Sequence, residues 1–176
     1  MRSIWIFSFS FLFFTCSKED KKLKCDTCFA DMYLNGISWQ GDFIDANILD
    51  EGFLSVSFTN KDEFGQNRES LTFGKILPKV GIYTLSSGPI TLLEMGEAYI
   101  FVATSISDGD VLGATYNLLE EESHELNIQL IDLEEKIVEG SFKMTLVKDI
   151  DPGPSYSFPD TVRITQGVFR SDIRTE

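Results

Sequence analysis

The sequence predicts an all-β domain, an antiparallel β-sandwich or partly closed barrel of about ten short strands, set behind an N-terminal signal and a tether. Three observations predict it. Apolar and polar residues alternate over short runs rich in Val, Ile, Phe and Tyr, which is the period of a half-buried strand. Turn signals built on Gly, Pro, Asn and Asp recur every eight to fifteen residues. No stretch sustains a helical period, and the helix-friendly patch at 118–122 is too short to stand alone.

The chain opens on an export segment. Arg2 is the sole charge before Lys18, and an apolar run from Ile4 to Phe14 follows it. A helix rises about 1.5 Å per residue, so such a run covers only ~16 Å of a ~30 Å hydrocarbon core. It is too short to span and reads as a removable signal. It ends in Phe13-Phe14-Thr15-Cys16, a small residue followed by cysteine. That ending resembles the lipobox of bacterial lipoproteins, in the looser form of the Bacteroidetes type. The resemblance implies that residues 1–15 are cut away, that the Cys16 thiol receives diacylglycerol, and that the new amino terminus is acylated. The rival reading is an ordinary secretory signal with Cys16 incidental. Each methylene of a lipid buried in the bilayer contributes about 0.8 kcal/mol, and more than one chain makes anchoring stable. Removing Arg2 with the signal takes the net charge from −13 to about −14.

Residues 16–28 read as the lipidated cysteine and a flexible tether, charged from Lys18 to Lys24 and nearly devoid of core residues. Ser17-Lys18-Glu19-Asp20 is similar to the short acidic signal that sends some Bacteroidetes-type lipoproteins to the cell surface. The expected address is therefore the outer membrane, facing the surface or the periplasm. Cys25 and Cys28 remain once Cys16 carries lipid, and an oxidising envelope favours a small disulfide between them. A redox-active pair would need a depressed thiolate pKa, and Asp26 acts against that. A zinc site would need four ligands, whereas the chain has no further cysteine pair and a single His.

The β-domain is expected over 29–173. Met32, Leu34, Ile37 and Trp39 alternate around Asn35-Gly36, a two-residue hairpin signal in which both central residues take positive φ. Phe43–Ile48 and a strand at 53–58 pair around Asp50-Glu51-Gly52, with Leu54, Val56 and Phe58 on one face. Residues 59–67 read as a polar loop, Leu71-Thr72-Phe73 continues the sheet, and Pro78 and Gly81 mark a turn. Residues 82–85 form a short strand. Residues 98–103 form an apolar run with no polar face, which belongs in a central position. After a loop at 107–110 come strands at 114–118, at 126–130 with Leu126, Ile128 and Leu130 in alternation, and at 138–146. Pro152-Gly153-Pro154 lies in a long loop, and Val162-Arg163-Ile164 with Val168-Phe169 closes the domain.

The chain suffices for one domain and is short for two, and its aromatic content, dominated by Phe, can fill a core. Strong acidity excludes nucleic acid as the natural partner, since phosphates are met by clustered Lys and Arg. It also disfavours lying flat on an anionic bilayer.

Leu126–Asp132, Gly140-Ser141-Phe142 and Ile164-Thr165-Gln166-Gly167-Val168-Phe169 resemble the strand ending in Asp, the G-[ST]-F strand and the I-T-x-G-x-F ending of a family of small Bacteroidetes-type lipoproteins of unknown function. Asn35-Gly36-Ile37-Ser38-Trp39 is similar to their N-G-x-x-W opening hairpin, and Gly81-Ile82-Tyr83 to their G-x-Y strand. The resemblance covers roughly 30–170. It implies an all-β fold and an envelope address, and it brings no catalytic residue.

Candidate sites are few. Glu120, Glu122 and His124 would share one face of an extended chain and could present a metal, but a solvated hairpin tip is the favoured reading. Asp108 with Asp110, and Asp149 with Asp151, are spaced like fragments of calcium loops without the full signature. No metal or other cofactor is expected. No Ser stands in a G-x-S-x-G elbow, and no pair of carboxylates is singled out for glycoside hydrolysis. Tyr33, Trp39, Tyr83, Tyr99 and Tyr116 could stack on a sugar or peptide, although most should be core partners. The expectation is a lipid-anchored, non-enzymatic envelope module, tied to the membrane through Cys16, that binds a glycan, a peptide or an envelope protein. A structural component of an envelope complex and a carboxylate-dependent hydrolase are the alternatives.

Overall fold

The computed structural model describes residues 27–49, 51–87, 97–105, 112–150 and 159–174. Cys16, Cys25, Asp108, Asp110 and Asp151 fall outside them. Eleven strands make up the described chain: β1 Phe29–Leu34, β2 Ile37–Gln40, β3 Phe43–Ile48, β4 Leu54–Lys61, β5 Asn67–Ile76, β6 Gly81–Ser86, β7 Glu97–Ser105, β8 Leu112–Leu118, β9 Glu125–Asp132, β10 Ile137–Ile150 and β11 Thr161–Arg174. The fold is all-β, as the alternation predicts. No described helix is long and apolar enough to cross a membrane.

The strands form a single mixed sheet curled around one core. Pairing runs from β11 through β3, β4 and β5 to β7, continues through β6 and β9 or through β8 to β10, and returns to β11. The β11–β3 seam is only two residues long, at Ile173↔Ala46 and Arg174↔Asn47, so the sheet is sandwich-like and not a fully closed barrel. That seam and β6–β7 are parallel, a departure from the purely antiparallel expectation. The cause is chain order. β6 and β7 run side by side without being joined by a tight turn, and a hairpin is what obliges neighbours to be antiparallel. The apolar strand β7 lies centrally, paired with β5 along one edge and with β6 and β8 along the other.

Local chemistry explains the turns. Asn35 and Gly36 adopt φ of 50° and 82°, the left-handed conformation the β1–β2 hairpin turn needs. The polar loop expected at 59–67 is shorter than that, because β4 extends to Lys61 and β5 starts at Asn67. Only the 62–66 turn between them is irregular, with the Asp62 carboxylate accepting from the N–H groups of Phe64 and Gln66. Tyr83 is buried, and its hydroxyl is shared between the carbonyls of Leu77 and Lys79 at 2.8 and 2.9 Å, closing the turn before β6.

Two bulges decide which side chains enter the core. In β9, Ile128 opposes Gly140 but Leu130 opposes Glu139, so Gln129 is extra. The alternation slips there: Leu126 and Ile128 are buried, Leu130 turns outward at 40% exposure, and Ile131 packs on the core instead. In β11, Phe142 opposes Gly167 and Met144 opposes Ile164, leaving Thr165 and Gln166 against Lys143 alone. Gln166 takes φ of 51° at this point. Before the bulge Ile164 faces the core; after it Gly167, Phe169, Ser171 and Ile173 do, and Val168 points out. The two closing segments are therefore one continuous strand.

The core centres on four phenylalanines. Phe58 lies 5.9 Å from Phe73, 5.5 Å from Phe142 and 5.3 Å from Phe169, and Phe73 lies 5.0 Å from Phe142. Two cross-strand pairs set those rings in place: Gly140 opposite Phe169, and Phe142 opposite Gly167. A Cβ on Gly140 would lie 2.7 Å from the Phe169 ring and from the Asn127 carbonyl oxygen; one on Gly167 would lie 2.5 Å from the Phe142 ring. Each glycine is thus the seat of the opposing ring. This gives the G-[ST]-F and I-T-x-G-x-F segments a physical meaning as packing devices.

Candidate functional site

A cavity of about 340 Å³ opens at the other end of the β10–β11 pair, under the β1–β2 hairpin. The hairpin supplies Met32, Leu34, Asn35, Ile37, Ser38 and Trp39. β5 supplies Glu69, Ser70 and Leu71, β8 supplies Tyr116, β10 supplies Leu146, and Pro159, Val162 and Ile164 come from the start of β11. The walls are mostly hydrocarbon. Met32, Leu71, Leu146 and Ile164 are nearly inaccessible there, whereas Ile37 stands at the mouth with 73% of its surface exposed. A mostly apolar cavity with a few polar groups is what a small ligand or an inserted side chain requires, and this one is at the small end of such sites.

Hydrogen bonds at three places frame the cavity. The Trp39 indole N–H donates to Glu69 Oε2 at 2.6 Å, tying β2 across to β5, and the Asn60 amide donates to the same oxygen at 3.5 Å. Asn35 fastens the hairpin tip to β11: its Nδ2 donates to the Thr161 carbonyl at 3.1 Å, and its Oδ1 accepts from the Arg163 N–H at 2.8 Å. The Tyr116 hydroxyl donates to the Pro159 carbonyl at 2.9 Å, fixing the chain where it enters β11. A second, shallower hollow of about 350 Å³ lies outside the tip, lined by Asn35, Gly36, Thr161, Arg163 and Thr165. The Asn35 amide, its most directional group, is already committed there to holding the hairpin.

Glu69 is the one charged side chain among the described lining residues. Cations adjoining the lining residues are ion-paired, Lys148 with Asp160 at 2.9 Å. Arg163 pairs with Glu122 at 3.1 Å, and Arg68 pairs with Asp62. Burial acts to raise the Asp62 carboxyl, but the N–H groups of Gln66 and Phe64 and the Arg68 guanidinium outweigh it and hold the group below its ordinary value.

The structure places the other sequence candidates apart from this cavity. Residues 120–123 form the expected exposed tip, but His124 itself is half-buried and bonded to backbone. Its Nε2 meets the Leu119 carbonyl at 2.7 Å and so must donate, which leaves Nδ1 to accept from the Thr145 N–H at 3.3 Å. Glu122 beside it accepts from the Thr145 hydroxyl at 2.6 Å and from Arg163. These residues pin the β8–β9 loop onto β10 and β11, and no group of three metal-ligating side chains occurs among the described residues. Cys28 is disulfide-bonded, its partner lying outside the described residues, and its sulfur accepts from the Asp172 N–H at 3.2 Å. The aromatic candidates separate as well. Trp39 and Tyr116 line the cavity, Tyr83 is buried in its turn, and Tyr33 is half-exposed on β1. Sequence reasoning missed Glu69, Ser70 and Val162, and no local signal marks them, since they become neighbours only when β5 and β11 face each other across the core. Comparison with known proteins adds no relative: no protein family, curated protein or solved structure matches the chain.

Proposed function

We propose that the chain is a lipid-anchored module of the cell envelope, held at the outer membrane through Cys16, that binds and does not catalyse, with the cavity beneath the β1–β2 hairpin as its recognition site. The cavity carries the reading, because tertiary structure rarely leaves an apolar hollow of this size beside a full core without a use for it. The short apolar leader ending in Cys16, and the resemblance to small Bacteroidetes-type lipoproteins, support the address. The apolar walls favour a small molecule or a peptide side chain over a sugar. Trp39 and Tyr116 are 9% and 5% exposed, so neither offers the open ring face on which a glycan stacks. A hydrolase of the two-carboxylate kind finds one carboxylate here, Glu69, and no second among the described lining residues.

The test uses protein recovered from intact envelopes. Wild-type chain should sediment with membranes and carry a diacylglycerol-modified Cys16 by mass spectrometry, while Cys16→Ala should be released. Solvent extracts of the wild type should contain a small molecule that is missing from Ser38→Phe, which places a ring at the cavity mouth. Equal retention of Cys16→Ala would remove the anchor, and identical extracts would remove the site.

A further inference from the structure

We infer that the cavity selects a small apolar ligand whose polar end is uncharged or positively charged, such as a lipophilic amine or alcohol, and rejects fatty acids and other anionic amphiphiles. The inference rests on the cavity being the recognition site and deepens it by naming the class of ligand.

The argument is one of charge and of its placement. A hydrocarbon body gains from contact with Leu34, Leu71, Leu146 and Ile164 whatever its head group, so the walls alone do not discriminate. The polar groups do. Glu69 contributes the one charge among the described lining residues, and it is negative. Its Oε2 is anchored by the Trp39 indole at 2.6 Å, so the carboxylate is held at the wall and cannot swing away from an incoming head group. An anionic head would need a cation, and the described lining supplies none; the cations beside lining residues are ion-paired, Lys148 with Asp160 at 2.9 Å among them. Arg163 is bound by Glu122 on the outer face of β11, and Arg68 by Asp62 at the far turn of β5. The chain's net charge of −13 acts in the same direction at longer range. Like charges brought together on binding, without a compensating partner, reduce affinity sharply.

Eight-carbon probes with a single head group isolate this effect: octylamine, octanol and octanoate. The chain from Cys16 onward contains every strand and the whole core, and Trp39 is its sole tryptophan, since Trp5 lies in the leader. Intrinsic fluorescence therefore reads the cavity wall directly. Octylamine and octanol should shift Trp39 emission saturably, with octanoate at least about tenfold weaker. Glu69→Gln keeps an acceptor for the indole N–H and should bring the three probes within about twofold of one another. Ser38→Phe should weaken all three. Octanoate binding as tightly as octylamine in the wild type, or an unchanged preference in Glu69→Gln, overturns the ligand class while leaving the cavity as the site. Binding of none of the probes, or of all three unaffected by Ser38→Phe, overturns the site and the ligand class together.

Discussion

Strands β10 and β11 lie side by side through two regions built in opposite ways. Around Gly140↔Phe169 and Phe142↔Gly167 a ring sits on a glycine in each pair, and space is filled to the limit. Past the Gln166 bulge, Met144↔Ile164 and Leu146↔Val162 set aliphatic against aliphatic, and Leu146, Val162 and Ile164 wall the cavity. One sheet is thereby stiff at one end and receptive at the other. Large-on-small pairs interlock; pairs of middling residues on a curved sheet leave a gap between them and the next layer. The bulge reverses the parity of β11 between the two regions, so each presents its own set of side chains inward.

Gly140→Ala strikes the filled region hardest. The added methyl meets the Phe169 ring and the Asn127 backbone at once, so the cost should be about 3 kcal/mol in denaturant unfolding. A loss under about 0.5 kcal/mol would show that no ring lock exists. For Gly167→Ala the three nearest atoms all belong to the Phe142 ring, so adding Phe142→Leu should recover part of the loss, whereas trimming Phe169 should recover less for Gly140→Ala. At the receptive end, Asn35→Ala removes both side-chain ties to β11, leaving the backbone bond to the Arg163 carbonyl, and a residue suited to positive φ; it should cost about 1–2 kcal/mol while raising Trp39 exposure to quenchers. Val162→Leu, which adds a methylene beside the cavity, should change stability by less than about 1 kcal/mol. A large loss there would mean that the region is as tightly filled as the ring lock.

The smallest effect is a pH dependence between the two regions. The Thr145 hydroxyl, against the opposing effect of desolvation and with help from Arg163 and His124, holds the Glu122 carboxyl below its ordinary value of 4.5. A carboxyl with a lowered folded pKa takes up protons more readily in the unfolded chain as pH falls. Its contribution is therefore full above about pH 4.5 and is lost as pH drops through the lower folded value. Glu122→Gln should flatten the acid limb of the stability profile below pH 4.5, and an unchanged limb would detach Glu122 from the loop's hold.

Much of the architecture is legible residue by residue. Asn35-Gly36 announces the first hairpin because few other pairs tolerate positive φ twice. Leu54, Val56 and Phe58 announce a core face and are fully buried. The limits appear where a single residue breaks the period. Leu130 reads inward and points outward because Gln129 bulges, and Val168, which strict alternation would put on the face of Ile164, turns outward because Gln166 bulges. A bulge depends on the partner strand's register, which no local pattern contains. His124 illustrates the same limit, since both of its ring nitrogens are engaged by backbone groups of Leu119 and Thr145.

The all-β class, the hairpins and the supply of aromatic core residues can be read from the chain alone, because alternation and turn chemistry act over a few neighbouring residues. The parallel β6–β7 and β11–β3 pairings, the seating of Phe142 and Phe169 on glycines of the opposite strand, and the cavity that Glu69 borders emerge on folding. Those features join residues from distant parts of the chain, and their geometry follows from how the curled sheet closes on itself.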